Sequence, residues 1–207
     1  MVFDVDLIKC YLSPQMHDNA TDTLQLLAGI IAFSAYIPLT FAILRNTASQ
    51  SFAAFFLWGM LDAIAMGGLI LQHGNFWLPL SNVVGTATIA SLLIIKKQVH
   101  WSWIETLTSV LVVICMIIWF LTGDTGAIVS GSIALVIASI PQMADTYRRP
   151  KETPMLVYFI WLGANLLSFL AGKAWTINER FYPACGMILC LGIIGVGIMK
   201  RSSRTAA

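Results

Sequence analysis

Apolar residues run through this chain in seven long stretches, covering 24–44, 52–71, 76–95, 104–121, 126–143, 155–174 and 181–199, with short polar connections between them. Each is close to the roughly 20 residues that an α-helix needs to cross the hydrocarbon core of a bilayer. The pattern predicts an all-α transmembrane protein of seven helices with almost nothing outside the membrane. Residues 1–23 precede the first span and are acidic, with Asp4, Asp6, Asp18 and Asp22. They lack the basic start and apolar stretch of a signal peptide. They read as an exposed extracytoplasmic tail with one amphipathic turn near residues 5–12, and residues 200–207 read as a cytoplasmic tail.

Composition narrows the class. Of the 207 residues, 58% are hydrophobic and 11% charged, against about 25% charged in an ordinary soluble domain. That is too little charge to cover a surface facing water, which excludes a soluble enzyme, a disordered chain and a nucleic-acid binder. The lipid bilayer is the expected surrounding. Seven spans leave no room for an attached catalytic domain. The lone charge count that carries information is its distribution. Arg45, Lys96, Lys97, Arg148, Arg149, Lys151, Lys200, Arg201 and Arg204 fall on one side of the seven-span topology, and Lys9, Lys173 and Arg180 on the other, nine against three. By the positive-inside rule the N-terminus is outside and the C-terminus cytoplasmic. Short loops and the lack of a targeting segment point to a bacterial inner membrane.

Cofactor and metal chemistry find no support. Cys115, Cys185 and Cys190 lie inside predicted spans, Cys10 lies in the tail, and no Cys-x-x-Cys spacing occurs, so the cysteines read as small apolar residues. No Ser/His/Asp triad, nucleophile–base pair or Gly-rich phosphate loop can be assembled, and no enzymatic activity is expected. Glu105 and His73 do not stand out from background.

A shift of 103 residues superposes the chain on itself. Ile37-Pro38 falls on Ile140-Pro141, Arg45 on Arg148, Phe56 on Phe159, Trp58 on Trp161, Asp62 on Asn165 and Asn75 on Asn178, and one further residue brings Pro79 opposite Pro183. Pro and Trp together number only 14, so their coincidence at one offset indicates an internal repeat. Residues 24–95 form the first copy, with three spans, and 126–199 the second; the span at 104–121 stands between them. Three spans reverse the side of the membrane, so a single extra helix restores a parallel orientation. The expected architecture is 3+1+3, two parallel triple-helix bundles joined by a linker helix. Transporters commonly hold their substrate at such a repeat interface near the midplane.

The 3+1+3 plan, the Ile140-Pro141-Gln142 sequence and the Trp-x-x-x-Asp/Asn pattern resemble the PQ-loop superfamily. That group includes the SWEET sugar transporters, the lysosomal cystine and cationic amino-acid exporters and the KDEL-receptor-like proteins. The resemblance covers residues from about 24 to 199 and is strongest from Ser139 to Asn165. The first copy departs from the pattern, reading Pro38-Leu39 without the glutamine. The resemblance implies alternating-access transport.

Asp62 is a carboxylate midway through an apolar span, where it is expensive and usually functional. It is open to two roles, taking up and releasing a proton that couples to solute movement, or remaining ionised to bind a cation; a packing role through interhelical hydrogen bonds is the third reading. Trp58 and Trp161 each precede the paired polar residues Asp62 and Asn165 by four positions, which puts both on one helix face. An indole face suits a sugar or a cation, and interfacial belting is the bland alternative. Asn82 in the third span is a further candidate, as a solute contact by resemblance to SWEET-like proteins or as an interhelical hydrogen-bonding residue; its counterpart is Gly186. Pro38 and Pro141 remove a backbone donor and clash with the preceding turn, which makes them hinges or static kinks. Gln142 is placed to bond the freed carbonyls or a facing helix. Ser130, Gly131, Ser132, Gly186, Gly192, Gly195 and Gly197 suggest close helix contact. The expected partner is a small polar solute, an amino-acid-like metabolite or a sugar, carried by alternating access with proton coupling through Asp62. A ligand-binding receptor or sorting protein on the same fold is the rival, and a homo-oligomer is compatible with either.

Overall fold

The computed structural model describes residues 5–48, 50–71, 74–101 and 103–205; within the helices, side chains are described except at 5–18, 104, 115, 118–119, 122–127 and 202–205. His73 and the side chains of Asp4, Asp6, Lys9, Cys10, Asp18, Cys115 and Arg204 therefore lie outside the described residues. The described chain is helical throughout, with seven helices: α1 (Val5–Leu44), α2 (Phe52–Leu71), α3 (Trp77–Ile95), α4 (Trp103–Ile137), α5 (Ile140–Arg148), α6 (Met155–Leu170) and α7 (Ile177–Thr205). Five helical stretches are long and apolar enough to cross a membrane: Asn19–Leu44, Phe52–Leu71, Trp77–Ile95, Ile128–Arg148 and Ile177–Arg201. Ile30, Phe33, Ile37 and Phe41 of α1, Val110, Val113 and Ile117 of α4, and Leu156, Phe159 and Leu170 of α6 all face outward. Apolar surface of that extent suits contact with lipid rather than water.

The breaks between helices have local causes. α1 and α3 end in the same way. Asn46 and Lys97 adopt left-handed backbone angles, with φ of 55° and 54°. Asn46 N–H then donates to Ile43 O and Thr47 N–H to Ala42 O, as Lys97 N–H does to Ile94 O and Gln98 N–H to Leu93 O. This Schellman pairing satisfies carbonyls that the helix end would orphan. The two ends lie side by side, since Lys96 Nζ donates to Leu44 O at 2.9 Å. α2 begins where Ser51 Oγ accepts from Ala54 N–H, an N-cap.

The bounds of α2 and α3 agree with the apolar runs within one residue. Elsewhere the structure corrects the sequence reading. Residues 5–23, expected as a tail, are helical and continuous with the first span in α1. Helix runs from 103 to 137 in α4, 35 residues, yet the run doubles back rather than forming one rod. His100, just before it, and Arg149, just after α5, line one pocket, whereas a straight run would part them by roughly 60 Å or more at 1.5 Å per residue. A further break falls at Ala138–Ser139, just before Pro141 in the first turn of α5. There Ser139 N–H bonds Val136 O, three residues back rather than four. α6 stops at Leu170, short of the expected 174. Its end is held by the Arg180 guanidinium, which donates to the carbonyls of Phe169, Gly172 and Ala174. α7 opens four residues earlier than expected and runs on through the presumed cytoplasmic tail to Thr205.

Packing divides the helices into two groups. α3 lies between α1 and α2, and α7 lies between α4–α5 on one side and α6 on the other. Across the divide, α1 packs on α6 and α2 packs on α4 and α5. Small residues permit the close approaches. Gly29 lies against the backbone of Trp77, Gly85 against the ring of Tyr36, Gly186 against Asn165 and Gly192 against Met143. Gly197 abuts Met155, whereas Gly131 and Gly195 have open space and do not serve as contact points.

Candidate functional site

Where the two groups meet, a cavity is lined by Trp58, Asp62, Asn82, Trp161 and Asn165, together with Tyr36, Tyr182 and Gly186. The five residues singled out by sequence thus converge from α2, α3 and α6. The four-residue spacing of Trp58 to Asp62 and Trp161 to Asn165 does this locally, because it places each pair on one face. All four are buried, Asp62 to 2% exposure. The space open to the centre of a water molecule is about 40 Å³. At about 10–15 Å³ per water, that is room for a few waters and not for a whole metabolite.

A chain of hydrogen bonds runs along one wall. Tyr36 OH donates to Asn82 Oδ1 at 3.3 Å, Asn82 Nδ2 donates to Tyr182 OH at 3.0 Å, and Tyr182 OH donates to Asp62 Oδ1 at 2.5 Å. The chain joins α1, α3, α7 and α2, and Tyr182 carries it across the divide. Tyr36 and Tyr182 were not among the sequence candidates. The signal for them was that a tyrosine in an apolar run must find a partner for its hydroxyl.

The two tryptophans do more than line the space. Trp58 Nε1 donates to Leu135 O at 3.2 Å, and Trp161 Nε1 donates to Ala32 O at 3.0 Å. Donors and acceptors are both related by the 103-residue shift, since 58 and 161, and 32 and 135, differ by that number. Each indole reaches from one group to a main-chain carbonyl of the other, six residues before Pro38 or Pro141. Neither is an interfacial belt residue. On α6, Asn165 Nδ2 donates back to Trp161 O at 2.8 Å, while Asn165 Oδ1 is buried with no partner.

Polar ties close both ends of the cavity. At the end carrying Asn46, Gln98 and Arg149, Gln142 Oε1 accepts from Ser51 N–H at 2.9 Å, and Tyr158 OH donates to Gln50 Oε1 at 2.7 Å. Gln142 therefore serves a facing helix, and its Nε2 is left without a partner. Arg201 holds the same end by donating to Pro150 O and Thr153 O. At the opposite end, Gln25 Nε2 donates to Ala171 O and to Glu179 Oε2 at 3.1 and 3.0 Å. There Asn75 Nδ2 donates to Ser168 Oγ, and the exposed pair Lys173–Asp22 meets at 2.7 Å.

The two prolines differ. Pro141 is buried at a helix break, whereas Pro38 is exposed in the unbroken α1. No group of three or more His, Cys, Asp or Glu placed to hold a metal occurs among the described residues. Comparison of the chain with protein-family models, curated proteins and solved structures finds no match.

Proposed function

We propose that this protein is a membrane carrier that moves a small polar solute by alternating access, on a PQ-loop-like plan of two parallel three-helix bundles. The observation that carries this reading is the polar cavity at the divide, tied shut at both ends by bonds between the two helix groups. A carrier must break such ties one end at a time. The reciprocal indole bonds and the matching packing of α1 on α6 and α2 on α4–α5 support two related halves. Trp58, Asp62, Asn82, Trp161 and Asn165 contact the solute, Asp62 couples a proton to its movement, and Pro141 with Gln142 forms the joint at which the second half rocks. Pro38 holds the corresponding position in the first half, within the unbroken α1. The basic end, with Lys96, Arg149 and Arg201, faces the cytoplasm.

The test is uptake by the purified protein in liposomes, using a panel of amines, amino acids and sugars with and without a pH gradient. Saturable counterflow of one class is expected. Binding without flux for every bound solute overturns the carrier reading and favours a receptor. Equal uptake by Asp62→Asn with unchanged pH dependence removes proton coupling through that residue.

A further inference from the structure

Most of the cavity's strong donors are engaged, with one N–H left on each of the Asn82 and Asn165 amides, while strong acceptors are left over. Trp58 and Trp161 spend their indole N–H groups on main-chain carbonyls. Tyr182 spends its hydroxyl on Asp62 and Tyr36 on Asn82, whose own amide nitrogen is given to Tyr182. Thr86 Oγ1 donates to Asn82 O at 2.6 Å. What is left among the described lining groups is weighted toward acceptors. Asn165 Oδ1 has no partner at 5% residue exposure. Its orientation follows from chemistry: the Trp161 carbonyl can only accept, so the amide nitrogen must face it and the oxygen must face Gly186. A carboxylate has about four lone-pair sites, and the Tyr182 hydroxyl fills one of those of Asp62. The rest of the wall is largely aromatic, from the rings of Tyr36, Trp58, Trp161 and Tyr182, with Leu135, Leu189 and Cys190 between them. Among the described residues, no Lys, Arg or His lines the space.

An acid, an unpaired amide oxygen and several π faces make an environment for a donor cation. A sugar asks for donors as well as acceptors. A zwitterionic amino acid asks for a cation or free N–H groups at its carboxylate, and burying that charge unpaired is costly. Deepening the carrier reading and resting on it for the existence of a solute site, we propose that the ligand is an organic amine without a carboxylate. Its primary or secondary ammonium sits between Asp62 and Asn165 Oδ1 against the indoles. The small volume holds that headgroup, and the rest of the molecule enters only when one end opens.

The experiment is calorimetric binding to the purified full chain in detergent, with matched pairs: ethanolamine against serine, and agmatine against arginine, with glucose as a third class. At least one amine is expected to bind about tenfold or more tightly than its carboxylated partner, with no heat from glucose. Asp62→Asn retains an acceptor for Tyr182, so it preserves the fold, which thermal melting verifies; it is expected to weaken the amine at least about tenfold. Asn165→Asp is expected to strengthen it. Binding of serine, arginine or glucose as tight as that of the amines overturns the proposal, as does an unchanged amine affinity in Asp62→Asn. Amine binding without vesicle flux upholds the ligand class while removing the carrier reading, so the two fail separately.

Discussion

The hydroxyl of Tyr182 on α7 lies 2.5 Å from the carboxyl of Asp62 on α2 and donates to it across the divide between the two helix groups. Tyr182→Phe removes that bond and leaves a buried carboxyl and the Asn82 amide each short of a partner. The expected cost is about 1–3 kcal/mol, read as a lower melting temperature in detergent. Asp62→Asn costs less, because its amide oxygen still accepts. In the double variant the two effects are expected to be non-additive by about 0.5 kcal/mol or more, as for residues in direct contact.

Trp58→Phe and Trp161→Phe each take one N–H from a carbonyl of the opposite group, Leu135 or Ala32. Each is expected to destabilise by about 1 kcal/mol, and the two by similar amounts because their bonds are equivalents. A marked difference in melting, with Trp161→Phe near neutral, would show that the shift relating them is a matter of sequence alone.

Glycines of the same helices divide into two classes. A methyl at Gly186 would run into Asn165 Oδ1, so Gly186→Ala is expected to cost about 1–3 kcal/mol through overpacking. Shortening the obstacle in Gly186→Ala/Asn165→Ala is expected to recover part of it. Gly131→Ala and Gly195→Ala meet nothing within 4 Å, and better helix propensity makes them neutral or stabilising by up to about 1 kcal/mol.

Cys190 is 2% exposed in the cavity wall and reports which end is open. With Cys10, Cys115 and Cys185 replaced by Ser, a membrane-impermeant maleimide is expected to label it slowly from both sides of a vesicle. Tyr158→Phe loosens the tie to Gln50 and is expected to speed labelling several-fold from the side carrying Arg149. Gln25→Ala loosens the tie to Glu179 and speeds it from the other side. Acceleration of both variants from the same side would contradict the assignment of the two ends.

The apolar runs delimited α2 and α3 because each ends abruptly, at Ser51 or at the Lys96–Lys97 turn. The same rule missed the break at Ala138–Ser139, inside the run 126–143. Helix interruption here is set by Pro141 and the three-residue bond at Ser139, and a composition window does not weigh a missing backbone donor. The cavity was legible through rare residues at fixed spacing, which is why Trp58, Asp62, Trp161 and Asn165 could be picked out. Tyr36 and Tyr182 were not, since a tyrosine in an apolar run looks the same whether its hydroxyl faces lipid headgroups or a buried carboxyl. Gln25 and Glu179 escaped for another reason: near span ends, a buried polar pair and a solvated one have identical sequences.

The unequal setting of the two prolines has a mechanical consequence. α1 passes Pro38 without interruption, while the chain before Pro141 is divided at Ala138–Ser139. Rods and joints are thus not shared evenly. On the proposed carrier reading, the first three helices are expected to stand as a stator and the short α5 to work as a crank arm whose pivot lies in the second group. Its stroke is then expected to be lopsided, with one half standing still while the other swings.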